Sequence, residues 1–247
     1  MAAAATAANI DYGIDAPLIA RSWFGRAAWS LGGGLLFWFM NRQEYPGPSA
    51  RVFVALALVA AVCAGIGWLK IHSSREGKLA LREQLLDQLA LKGDEKVLDV
   101  GCGRGLLAIG AAKRLKTGKV TGIDVWNLQD LSGNSAEAAR ENAKAEGVAD
   151  RVRFDTGDAR KLVYPDGFFD AVISSNALHA LEDDREREQA LKEMLRVLKP
   201  GGPLVIFDTA ETGHYADVLR ESAAQDVRLS PWTWLWCRPS RSVAARK

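Results

Sequence analysis

From Val97 to Gly105 the chain reads Val-Leu-Asp-Val-Gly-Cys-Gly-Arg-Gly, an apolar run that opens onto three alternating glycines. Glycine permits a tight turn and lets a ligand approach bare backbone, and a helix starting beyond it presents free N–H groups. Gly101, Gly103 and Gly105 therefore outline a pocket for a nucleotide-type ligand. Nineteen residues past Gly105, Asp124 ends the next apolar run, where its carboxylate can accept hydrogen bonds from two ribose hydroxyls. Gly157-Asp158-Ala159 closes a third run and puts another acid where an adenine amino group would lie. Asp99, two residues before the first glycine, suits an ammonium group and would repel a pyrophosphate. The dinucleotide fingerprint also needs glycine at the sixth place, which here is Leu106. Both features favour S-adenosylmethionine over a nicotinamide dinucleotide.

The elements that must hold these residues alternate. Lys96–Val100, Lys119–Asp124, Val152–Asp155, Phe169–Ser174 and Leu204–Asp208 read as strands, and Leu79–Leu91, Ser135–Glu146 and Arg187–Leu198 as helices. Strands separated by helices imply a mainly parallel α/β sheet covered on both faces. Three cysteines, Cys63, Cys102 and Cys237, are an odd set without metal-ligand spacing, so no metal is expected. Cys102 between two glycines reads as a small filler of a tight turn rather than a nucleophile. With 32 basic and 30 acidic side chains, no strong field draws a nucleic acid.

These motifs resemble the class I S-adenosylmethionine-dependent methyltransferases, especially the small-molecule, lipid and quinone-biosynthesis group. The resemblance covers about residues 94–204 and also includes Phe168-Phe169-Asp170-Ala171-Val172 and the run from Leu195 to Gly202. It implies a Rossmann-like, seven-stranded sheet with an antiparallel last strand at Ser242–Lys247. It further implies that Asp99 and the backbone of Gly101 and Gly103 hold the methionine end, Asp124 the ribose, and Asp158 with Ala159 the adenine. Trp126 would cover an adenine face or else pack in the core. The insertion Asn127–Asn134 is longer than the family usually shows. After the fourth strand, Ser174-Ser175-Asn176-Ala177-Leu178-His179 lacks the Asn-Pro-Pro-Tyr segment of relatives that methylate amino groups of bases, and no nucleic acid partner is expected.

His179 stands at the rim where an acceptor approaches, as general base or as a mere cap of the pocket. His214 and Glu211 are weaker candidates, and Glu182, Asp183 and Asp184 read as the solvated start of a helix. Trp232, Trp234 and Trp236 alternate at strand spacing; they pack in the core, cover an apolar acceptor, or rest at a bilayer interface.

Two uncharged stretches precede the catalytic pattern, Ala27–Met40 with fourteen residues and Val52–Leu69 with eighteen. The second spans about 27 Å, close to a bilayer core of about 30 Å, and the first only about 21 Å, with Gly32-Gly33-Gly34 weakening its helix. The polar, Pro-rich segment from Asn41 to Pro48 returns the chain, giving a hydrophobic helical hairpin. Trp23, Trp29, Trp38, Tyr45 and Trp68 lie near the ends of these stretches, as membrane-interface aromatics do. Residues 1–79 hold seven Lys/Arg against four Asp/Glu. Lys70, His72, Arg75 and Lys78 follow the hairpin and Arg21 and Arg26 precede it, placing the catalytic domain in the cytoplasm. The expected organisation is a tail over 1–26 with a disordered Ala-rich start (Met1–Ala8), a membrane hairpin over 27–70, a linking helix over 71–93 and a methyltransferase domain over 94–247. The expected function is methyl transfer from S-adenosylmethionine to a small, hydrophobic, membrane-associated acceptor. The rivals are core helices in place of the membrane hairpin, a non-catalytic cofactor-binding module, and a membrane-bound NAD-dependent oxidoreductase.

Overall fold

The computed structural model describes residues 10–235 and 237–247, so the Ala-rich start and Trp236 fall outside the described residues. Two long helices come first, α1 (Pro17–Asn41) and α2 (Pro46–His72), each begun by a proline within its first turn. α1 starts ten residues before the uncharged run Ala27–Met40, and the triple glycine does not break it. Gly34 explains part of this, because a Cβ there would stand 3.0 Å from Leu56 Cβ; the bare backbone lets the two helices meet closely. Gly67 does the same for the ring of Phe24. A π-helical turn, Ser73–Gly77, carries α2 without interruption into α3 (Lys78–Leu89). The continuous helix Pro46–Leu89 is the one helix among the described residues long and apolar enough to cross a membrane.

The catalytic pattern follows as β1 (Lys96–Val100), α4 (Leu106–Arg114), β2 (Lys119–Asp124), α5 (Ala136–Ala145), β3 (Val152–Thr156), β4 (Ala171–Ser175), α6 (Asp184–Val197), β5 (Pro203–Asp208), α7 (Thr212–Glu221), β6 (Gln225–Leu229), β7 (Thr233–Leu235) and β8 (Arg238–Arg246). Seven strands lie in the order β3-β2-β1-β4-β5-β8-β6, and β7 pairs with the start of β8. β1 to β5 are parallel, and β8 runs antiparallel between β5 and β6. The expected antiparallel strand is therefore present, beginning four residues earlier than Ser242. The central strands are apolar on both faces because helices cover both, and Leu98, Val172 and Leu204 are fully buried. Two apolar clusters result, one under α3, α4 and α5 and one under α6 and α7. The order reverses between β1 and β4, and the crevice beyond the carboxyl ends of such strands is where α/β sheets bind ligands.

Candidate active site

At that crevice the loop after β1 is pinned to β2: the N–H groups of Gly101 and Cys102 both donate to Ile123 O, at 2.8 and 3.0 Å. Gly101 has φ of 73°, and a Cβ there would lie 2.2 Å from Ala177 Cβ, so only glycine fits. Asp99 is 1% exposed. Its Oδ2 accepts from Ala108 N in α4 at 2.9 Å, while its buried Oδ1 accepts nothing among the described residues. Burial, with the Asp124 charge nearby and against the pull of the Ala108 N–H, pushes its carboxyl up to about 8. A buried carboxylate short of one partner is a site prepared for a cation. Burial also pushes the Cys102 thiol up, and its sulfur fills the space beside Gly122, which fits the filler reading.

Asp124 accepts from Gly103 N at 2.7 Å, Trp126 N at 2.6 Å and Asn134 Nδ2 at 3.2 Å. A carboxylate has about four acceptor positions, so these three bonds fix its orientation and leave room for one more donor. Asp158 is gripped by the Arg160 guanidinium, which also bridges to Glu186, and this pairing holds the Asp158 carboxyl below the usual carboxylate range.

Above these groups lies a strap formed by residues 10–16. Asp11 pairs with Arg104 at 3.0 Å, Ile14 N donates to Ser132 Oγ at 2.7 Å, and Asp15 bridges Leu131. The insertion after β2 thus has a structural use, as the partner of the strap. Lys78, 4% exposed, donates to Tyr12 O at 2.8 Å and Gly13 O at 2.7 Å, with Asp15 Oδ2 3.4 Å away. Burial holds its ammonium below the usual lysine value.

Under the strap is a cavity of about 1060 Å³. Asp99, Gly101, Gly103, Asp124, Asp158, Ala159 and His179 all line it, so six cofactor candidates and the candidate base meet in one space. Gly105 and Trp126 are outside the lining. Gly105 caps α4 with φ of 86° against Ile109 and Phe154. The Trp126 indole donates to Thr156 Oγ1 at 2.9 Å and packs on the core, while its neighbour Val125 lines the cavity. His214 and Glu211 are also outside the lining, and His214 lies 3.9 Å from Glu188. Asp183 caps α6 through Glu186 N, as the solvated-start reading required.

The sequence reading missed Asp208, the 1%-exposed end of β5. His179 Nδ1 lies 2.7 Å from its Oδ1, the His179 N–H donates to Oδ2 at 3.0 Å, and Tyr215 and Thr209 N donate to the same carboxylate. Burial disfavours the imidazolium, but the close approach and charge of the Asp208 carboxylate outweigh it and raise the His179 pKa. An acid ending a buried strand at the ligand edge was the available signal, the same one that marked Asp124. Asn134 and Asn176 were missed too; both line the cavity with a buried side-chain oxygen lacking a partner among the described residues.

An α/β sheet with this strand order, a glycine-rich loop after β1 and acids ending β2 and following β3 define a nucleoside-binding enzyme fold. Residues 97–202 match the profile of the methyltransferase domain family. The chain is 41% identical over 138 residues to the methyltransferase GfsG of Streptomyces halstedii, covering 56% of this chain and 46% of that protein. It is 40% identical over 119 residues to the ubiquinone/menaquinone biosynthesis C-methyltransferase UbiE of Chromobacterium violaceum, covering 48% and 44%. The fold matches the crystal structure of a SAM-dependent methyltransferase from Aquifex aeolicus with a TM-score of 0.52, at 23% identity over 66% of this chain and 88% of that one. The chain spans less than half the length of these two curated relatives. Through residues 97–202 the chain carries a methyltransferase domain similar to the class I S-adenosylmethionine-dependent methyltransferases, whose cofactor is S-adenosyl-L-methionine. The residues present fit that cofactor: the Asp99 oxygen lacking a partner suits its ammonium, and Gly101 and Gly103 line the same cavity beside it. The nicotinamide alternative is set aside.

Proposed function

We propose that this protein transfers a methyl group to a small hydrophobic acceptor that reaches the site from a membrane. The observation that carries this reading is the extent of the cavity. From the cofactor loops it continues to Leu18, Ile19 and Trp23 of α1 and to Ile66 and Lys70 of α2. A site for a water-borne acceptor has no need of a wall made from the base of an exposed apolar hairpin. The bound cofactor supplies an electrophilic methyl on a sulfonium. Asp99 holds the ammonium, Asp124 the ribose, and Asp158 with Ala159 borders the adenine. Positioning in a closed cavity provides much of the rate enhancement of an in-line displacement. With Nδ1 facing Asp208, His179 offers Nε2 as the base that takes the proton of an acceptor hydroxyl. The basic residues on both flanks of the hairpin support a cytoplasmic catalytic domain. UbiE's name, which places it in quinone biosynthesis, supports an isoprenoid quinone or phenol as acceptor class.

The test is incubation of the full chain in vesicles of extracted membrane lipid with cofactor labelled in its methyl group. Label should move into organic-extractable material, and not with Asp99→Asn. Label found in water-soluble products alone would overturn the reading.

A further inference from the structure

Trp232 and Trp234 are 56% and 72% exposed, although each carries a large apolar ring, and neither lines the cavity. Covering an acceptor is therefore not their use. Trp234 lies in β7 and Trp232 just before it, two residues apart, so extended chain turns both to one side of the β7–β8 hairpin and Leu235 to the other. Leu235 meets the helices: its Cδ2 lies 2.9 Å from where a Cβ would stand at Gly77, in the π-helical turn below α2. The hairpin's far end reaches further along the helix, because Cys237 and Arg238 line the cavity together with Lys70. Lys70 directly follows Leu69, the last residue of the uncharged stretch Val52–Leu69. The tip of the β-hairpin is thus level with the end of the apolar span, the depth at which a bilayer gives way to headgroups, and its strands lie just beyond it. Indoles favour that layer, since the ring is apolar and its N–H needs a polar partner. Cations stand beside them, with the Arg241 guanidinium 4.1 Å from the Trp232 ring centre and Arg238 exposed. Lipid phosphates pair with such groups.

We propose that the β7–β8 hairpin is a second membrane-contact element, seating Trp232 and Trp234 in the headgroup layer of the bilayer that α2 crosses. It rests on the membrane reading above. Two contacts on different elements fix the tilt of the catalytic domain against the bilayer. The cavity wall formed by α1 and α2 is then held facing the lipid.

The test uses the full chain in vesicles of phosphatidylcholine and phosphatidylglycerol, with plain or brominated acyl chains. Tryptophan emission of the wild type is compared with that of Trp232→Phe/Trp234→Phe and of each single variant, which keep an aromatic ring at each position. The emission that the substitutions remove should be quenched by brominated lipid and lose its quenching by aqueous iodide. All variants should float with the vesicles, held by α1 and α2. If the proteins float but that emission stays open to iodide and indifferent to bromine, the second contact is overturned and the membrane reading stands. If the wild type does not float, both are overturned.

Discussion

The catalytic sheet and the N-terminal hairpin are built from the same apolar side chains and treat them in opposite ways. In the sheet Leu98, Val172, Leu204 and Ile206 are fully buried. In α1 and α2, Leu36 is 60% exposed, Leu58 64% and Val62 63%. The sheet closes on itself and needs no external medium, and most unsatisfied groups among the described residues, such as the Asp99 oxygen, belong to residues that line the cavity. The hairpin buries only the seam between its two helices, through Gly34 and Gly67, and leaves its remaining apolar surface for another medium. Soluble monomers rarely expose so large a contiguous apolar surface. One region is thus completed by a small cation-bearing ligand, the other leaves apolar side chains that the proposed membrane would cover, and the cavity lies where they meet.

The comparison breaks most severely at Lys78, the buried group joining the two regions through the strap. Lys78→Met removes the donor to Tyr12 O and Gly13 O and the ion pair with Asp15, so unfolding free energy should fall by about 3 kcal/mol. Urea unfolding in detergent measures this, and a loss near zero would mean that the strap is not held by Lys78.

Asp99→Asn should weaken S-adenosylhomocysteine binding by roughly a hundredfold, the loss of a desolvated charge pair of about 3 kcal/mol. The same substitution should relieve the free protein. The Asp99 carboxyl sits at about 8 in the fold, well above its unfolded value. Its protonated form is favoured by folding, so its contribution is complete in acid and is lost as pH rises toward 8. Thermal unfolding without ligand should show the wild type falling behind Asp99→Asn over that range, and parallel curves would refute the assignment.

A smaller effect, at least about tenfold in affinity for the same ligand, should follow Asp124→Ala, which removes the ribose acceptor and unpins Gly103. Unchanged binding by a folded variant would place the ribose elsewhere. The smallest shift concerns the base. Asp208→Asn should lower the His179 pKa, because it removes the partner that offsets burial. Imidazole resonances followed through a pH titration report this, and an unmoved midpoint would leave the pair structural.

Much of the catalytic half was legible because its signals are local. β1 and β2 have the expected boundaries, since each apolar run is bounded by a charge or a glycine turn. β4 begins two residues later than expected because Phe169 leaves the sheet to bridge Leu198 beside α6. The strap was not legible: Asp11 reaches Asn142 and Lys78 reaches Tyr12 across 131 and 66 residues, through backbone groups that every sequence shares. The start of α1 was hidden for another reason. Arg21 and Arg26 interrupt its apolar pattern, though both are exposed and their long side chains reach water.

The central claim is that the hairpin end of the cavity receives the acceptor, and narrowing that end tests it most directly. Ile19→Trp and Ile66→Trp, made in the full chain and assayed in native-lipid vesicles, should cut transfer of labelled methyl to organic-extractable acceptor by about tenfold or more while cofactor affinity stays within about twofold. Undiminished transfer by both folded variants would contradict the account and leave the hairpin as an anchor that takes no part in substrate entry.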